Sequence, residues 1–183
     1  MKKKILVACL CVALAVLTIA GTTLAYLTSK DTVTNTFTVG NVKIELKETT
    51  TDYKMIPGQA IAKDPKVTVK DGSEACWLFI KIEESSALKN YISYAVNTTD
   101  WTKLQDGVYY KEIDTTTAAT GATYSVLDGD KVSVLDSVTQ KMMDDLQTEG
   151  ATQPTLTFTA YAIQKAGFTT AAAAWAEVSK TAT

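Results

Sequence analysis

An antiparallel all-β sandwich of jelly-roll type, with one or two short helices, is the fold class this sequence predicts. Three observations carry it. Short segments alternate apolar and polar residues with period two. Gly, Pro and Asp-Gly turn signals separate them. One segment, residues 75–83, is apolar on both parities. About eight or nine such segments follow at short spacing, which favours an antiparallel sandwich over a parallel α/β sheet. No internal repeat or low-complexity linker divides them, so residues 41–183 read as one β-sandwich domain behind residues 1–25 and 26–40.

The chain opens Met1-Lys2-Lys3-Lys4 and runs apolar from Ile5 to Ala20. Thr23-Leu24-Ala25 then places small residues three and one before Tyr26. A basic start, an apolar middle and a small-residue exit describe a secretory signal peptide, with cleavage between Ala25 and Tyr26. The competing reading is a retained membrane helix, but the apolar run is shorter than the roughly 20 residues a span requires. Leu6-Val7-Ala8-Cys9 resembles a lipobox, yet a cut there would leave no apolar region before it.

Residues 26–40 are Thr-rich. Val33, Phe37 and Val39 share one parity and Thr34, Thr36 and Thr38 the other, which is strand-like. In residues 41–48 (NVKIELKE), Val42, Ile44 and Leu46 alternate with Lys43, Glu45 and Lys47, giving a half-buried strand. Residues 49–63 form a connection with a turn at Pro57-Gly58, residues 66–70 a short strand, and Asp71-Gly72 a bend. Residues 75–83 carry Cys76, Leu78, Ile80 and Ile82 on one face and Trp77 and Phe79 on the other. Such a strand is central, or covered on both faces. Residues 91–96 and 107–112 are further strands. Residues 123–127 and 131–135 flank Asp128-Gly129-Asp130, which reads as a hairpin. Val138, Met142 and Leu146 at four-residue steps predict a short helix. Residues 155–164 (TLTFTAYAIQ) predict a long strand, and residues 171–178 a short Ala-rich helix.

Composition narrows the function. All 20 acidic residues lie beyond Ala25, and removal of three leader lysines leaves fifteen basic ones, a formal charge of −5. That balance argues against nucleic acid and anionic membrane as partners. The chain has no His, which removes Ser-His-Asp and Cys-His arrangements and the HExxH zinc helix. Cys9 and Cys11 leave with the leader, so Cys76 stands alone: it allows neither an internal disulfide nor zinc held by cysteines, and reads as a buried apolar thiol. Glu83-Glu84 are neighbours on a strand and point to opposite faces; Asp144-Asp145 form no better pair. Asp128-Gly129-Asp130 reads as turn chemistry before cation binding. Trp77, Trp101 and Trp175 read as core, and Asn97-Thr98-Thr99 fits a glycosylation acceptor. The expected catalytic residues, metal ligands and cofactors are therefore none.

The stretch 21–46 (GTTLAYLTSKDTVTNTFTVGNVKIEL) resembles the export signal and mature start of the TasA and CalY (camelysin) family. Residues 53–69 and the run 158–164, followed by Gly167-Phe168 and residues 171–175, are similar to it as well. The resemblance implies a protein exported by a Gram-positive cell and processed by a SipW-type signal peptidase, then located in the extracellular matrix or at the cell surface. It implies a jelly-roll subunit of biofilm matrix fibres, polymerising with itself, with other matrix or cell-surface proteins as further partners. In such fibres the N-terminal segment of one subunit adds as a strand to the next. Carried onto this sequence, the donor runs from Tyr26 to about Val39, with Leu27, Val33, Phe37 and Val39 as its apolar contacts. The same alternation would equally make residues 33–39 the first strand of their own sandwich. The family also carries a metalloendopeptidase label, which a His-free chain does not support; a protease, or a surface adhesin or binding module, is the alternative function.

Overall fold

The structure is a computed structural model that describes residues 41–49 and 53–182. Those residues form ten strands and three short α-helices: β1 Ile44–Lys47, β2 Ala60–Ala62, β3 Lys66–Val69, β4 Cys76–Glu84, β5 Ile92–Ser93, β6 Thr102–Gln105, β7 Val108–Ile113, α1 Thr115–Thr120, β8 Ala122–Ser125, β9 Lys131–Val134, α2 Gln140–Leu146, β10 Leu156–Gln164 and α3 Ala171–Val178. The strand ladders are antiparallel. The fold is an all-β sandwich, as the sequence predicts.

Its central layer is the sheet β10-β4-β7-β6, and two three-stranded sheets, β1-β3-β8 and β2-β9-β5, complete the sandwich. Period-two alternation decides which side chains meet. Leu78, Ile80 and Ile82 of β4 and Leu156, Phe158 and Ala160 of β10 enter the main core with Ile44, Leu46, Val67, Val69, Val132 and Val134. Each large apolar side chain fully buried in this way contributes about 1.5–3 kcal/mol. The opposite parity builds a second cluster: Trp77, Phe79, Tyr161 and Ile163 lie under Trp175 and Val178 of α3. Trp175 packs its ring 5.3 Å from Phe79 and 5.4 Å from Tyr161, centroid to centroid. Thus β4 is central between β10 and β7 and covered on both faces.

The helices are set by local chemistry. Thr139 caps α2 by accepting from Met142 N at 3.2 Å, and Thr170 caps α3 by accepting from Ala173 N at 3.2 Å. A third helix, α1, exceeds the one or two expected. Its Thr-rich run has poor helix propensity, but Asp114 accepts from Thr117 N at 2.7 Å and Gly121 stops it. A Cβ at Gly121 would stand 3.0 Å from Asp71 N, so the close approach of the β3–β4 turn excludes a side chain there.

Three other expectations need correction. Residues 123–135 do not form a hairpin: β8 pairs with β3, whereas β9 pairs with β2 and β5. Val126 and Leu127 are both fully buried, which draws the chain across the core instead of back beside β8. Gly129 and Asp130, at φ 62° and 51°, make the corner. Residues 91–96 keep only the short β5 plus a bridge from Val96 to Leu127. Finally, the connection 49–63 contains β2, and β6 precedes β7; their small or polar residues (AIA, TKLQ) carry little alternation.

Candidate functional site

The residues expected to be cut and donated, Ala25, Tyr26, Leu27, Val33, Phe37 and Val39, lie outside the described residues. The described fold shows where that segment enters it. Asn41 Nδ2 donates to Gly72 O at 2.9 Å, and Asn41 O accepts from Glu74 N at 3.0 Å. One residue further on, Ala75 O accepts from Lys165 N at 2.7 Å. The chain therefore enters β1 beside the C-terminal end of β10. Ser73, 7% exposed, fixes this corner by accepting from Lys43 N at 3.1 Å and donating to Lys70 O at 2.7 Å.

Among the described residues β10 is the long end strand of its sheet, with β1 close beside it. Among the described residues its ladder partner is β4 alone. Ser85 N donates to Thr155 O and Lys165 N to Ala75 O, so odd-numbered residues of β10 face β4. In an antiparallel ladder the intervening residues point their N–H and C=O groups the other way. Those are Leu156, Phe158, Ala160, Ala162 and Gln164, and the first four place their side chains in the main core. The far edge of the same sheet is built differently: β6 is four residues long, mostly exposed, and broken by a register shift between Lys103 and Gln105. Shortness, polarity and a bulge are the usual guards of a sheet edge. The ladder of β10 is continuous over nine residues.

A buried charged group lies against this strand. Lys63 Nζ stands 2.8 Å from Glu48 Oε1, and neither side chain is exposed. Tyr53 Oη donates to the same Glu48 oxygen at 2.5 Å. The Lys63 ammonium lies 4.8 Å from the Tyr53 ring centroid and 5.4 Å from that of Phe158. In the sequence Lys63 ends the connection 49–63, and no pattern signals this pairing, because Glu48 is fifteen residues away.

The remaining candidates resolve as structure. Burial pushes the Cys76 thiol up to about 12, so it holds little thiolate at neutral pH. Asn97 spends its amide locally, donating to Asp100 Oδ2 at 3.0 Å and accepting from Thr99 N at 3.0 Å, which occupies the group a glycan would need. Trp101 is core and donates to Ser125 O at 2.9 Å. Glu84 accepts from Tyr94 Oη at 2.5 Å, and burial with that contact pushes the Tyr94 phenol well above the usual tyrosine range. Among the described residues no three of His, Cys, Asp and Glu are grouped to hold a metal ion. With no His in the chain, they offer no zinc-ligand set of the metalloprotease kind.

A family model described as camelysin metallo-endopeptidase matches residues 1–85. Over these residues the chain is similar to the camelysin family. No curated protein and no solved structure matches the chain. The match covers residues 1–25, the entry at Asn41, Glu48, Tyr53 and Lys63, and β4. The family is one of secreted or cell-surface proteins, and among the described residues no helix is long and apolar enough to cross a membrane.

Proposed function

We propose that this chain is a secreted structural subunit of extracellular matrix fibres, in which residues 26–39 of one copy add as a strand to the β10 edge of the next. The observation that carries this reading is the long, continuous β10 strand, whose ladder partner among the described residues is β4 alone, with the entry of the N-terminal segment at its end. Strand addition satisfies the outward N–H and C=O groups of Phe158, Ala160 and Ala162, and alternate side chains fix the register. Val33, Phe37 and Val39, sharing one parity, would then extend the core face, and the Thr residues would face outward. Fourteen extended residues span about 46–50 Å, against about 30 Å for the nine of β10. That is enough to cover the edge and bridge to a second subunit.

The same geometry weighs against self-pairing at this edge. A segment laid along its own β10 and ending at Asn41 would run parallel to β10, whereas the described ladders are antiparallel. A head-to-tail contact of this kind does not close, so it builds filaments. Electron microscopy of residues 26–183 and 40–183 tests the reading. Filaments from the first and soluble, folded monomers from the second are expected; filaments from both would overturn it. The family description favours a second reading, secreted proteolysis. Cleavage of casein by the pure protein, lost with a chelator, would establish it.

A further inference from the structure

The group Lys63, Glu48 and Tyr53 has a chemistry that the strand-addition reading does not use. We propose that Lys63 and Glu48 condense to an intramolecular amide, a covalent tie between the chain just after β1 and the chain just after β2. The two reacting groups are in place: Nζ lies 2.8 Å from Oε1, and both side chains are sealed from solvent. The Tyr53 phenol donates to the same carboxyl oxygen at 2.5 Å, and the rings of Tyr53 and Phe158 wall the amine. Positioned partners of this kind react with effective concentrations far above those of free solutes.

The step balances within the group. One proton passes from Lys63 Nζ to Glu48 Oε1, leaving a neutral amine facing a carboxylic acid. The nitrogen lone pair attacks Glu48 Cδ and the N–C bond forms. Charge develops on Oε2, and Tyr53, by its hydrogen bond to Oε1, stabilises that oxygen as it departs as the hydroxyl. The C–OH bond then breaks, and the hydroxyl leaves with the second amine proton as one water. No oxidant, reductant or other reactant is consumed, and the phenol is unchanged. The tie would give an exported chain whose single described cysteine is buried and unpaired a cross-link that needs no disulfide.

Mass spectrometry of the denatured, secreted full chain tests this, with the N-terminus fixed by sequencing. The expected wild-type mass is one water below the sequence mass, with the tryptic peptide 48–54 joined to the one that carries Lys63. Lys63→Met and Glu48→Ala should each return to the sequence mass. A wild-type chain at full sequence mass overturns the proposal without recourse to any variant. So does a water loss that persists in Lys63→Met, since an Asp-Gly succinimide loses the same mass. Tyr53→Phe should lower the linked fraction at matched times; an unchanged fraction would remove Tyr53 from the step.

Discussion

Lys63 and Glu48 form a buried ion pair, 2.8 Å apart, under the aromatic ring of Phe158 in β10. In the unlinked chain, removing one member leaves the other charge in the core without this counter-ion. Such truncations destabilise by about 3–5 kcal/mol, whereas replacing both members by apolar groups is near neutral. Lys63→Ala and Glu48→Ala should therefore each shift the urea midpoint strongly downward. The double variant Lys63→Met/Glu48→Leu should recover most of the loss. Additive losses in the double variant would contradict the pairing.

The β10 edge makes a prediction about two adjacent positions. Ala160 points its N–H away from β4, and Thr159 points its N–H toward β4, by the parity that Lys165 N and Ser85 N establish. Proline lacks the N–H and is tolerated in strands only where that group faces outward. Ala160→Pro should stay folded and lose filament formation. Thr159→Pro should lose a ladder bond and stability, read as a lower midpoint by circular dichroism. The reverse order would mean the edge faces the other way.

Cys76 gives a pH dependence with a definite sign. Burial raises its pKa in the fold from 9.0 to about 12, so the folded chain holds the proton where the unfolded chain has lost it. The contribution is intact below about pH 9 and is lost as pH rises toward 12. Urea midpoints should fall over that window, and Cys76→Ala should flatten the fall. At neutral pH a thiol reagent should label Cys76 only as fast as the protein opens.

Thr170 starts α3, the helix that covers the outer face of β4 and β10. Its hydroxyl accepts from Ala173 N, and loss of such a cap costs about 0.5–2 kcal/mol. Thr170→Ala should lower stability by that amount. It should also loosen Trp175 from Phe79 and Tyr161, visible as a shift of tryptophan emission to longer wavelength.

The sequence was most legible where one face is buried. The alternation in residues 41–48 gives β1, the double-sided apolar run gives β4 as the central strand, and residues 155–164 give β10. Elements held by tertiary contacts were hidden. β6 has polar, exposed residues, β2 is three residues long, and α1 consists of residues that favour other conformations until Asp114 and Gly121 bound it. Asp128-Gly129-Asp130 misled because its turn chemistry is real but its direction is not local: the burial of Val126 and Leu127 sends the chain to another sheet. The end position of β10 in its sheet and the Lys63 group depend on residues distant in sequence, so only the fold brings them into view.

Amide hydrogen exchange at Phe158, Ala160 and Ala162, compared between monomer and filament of residues 26–183, tests the central claim most directly. Strand addition predicts that these three amides gain strong protection on assembly while Thr159 and Tyr161, already paired to β4, change little. Filaments that form without protecting them, or protein that stays monomeric, would contradict it.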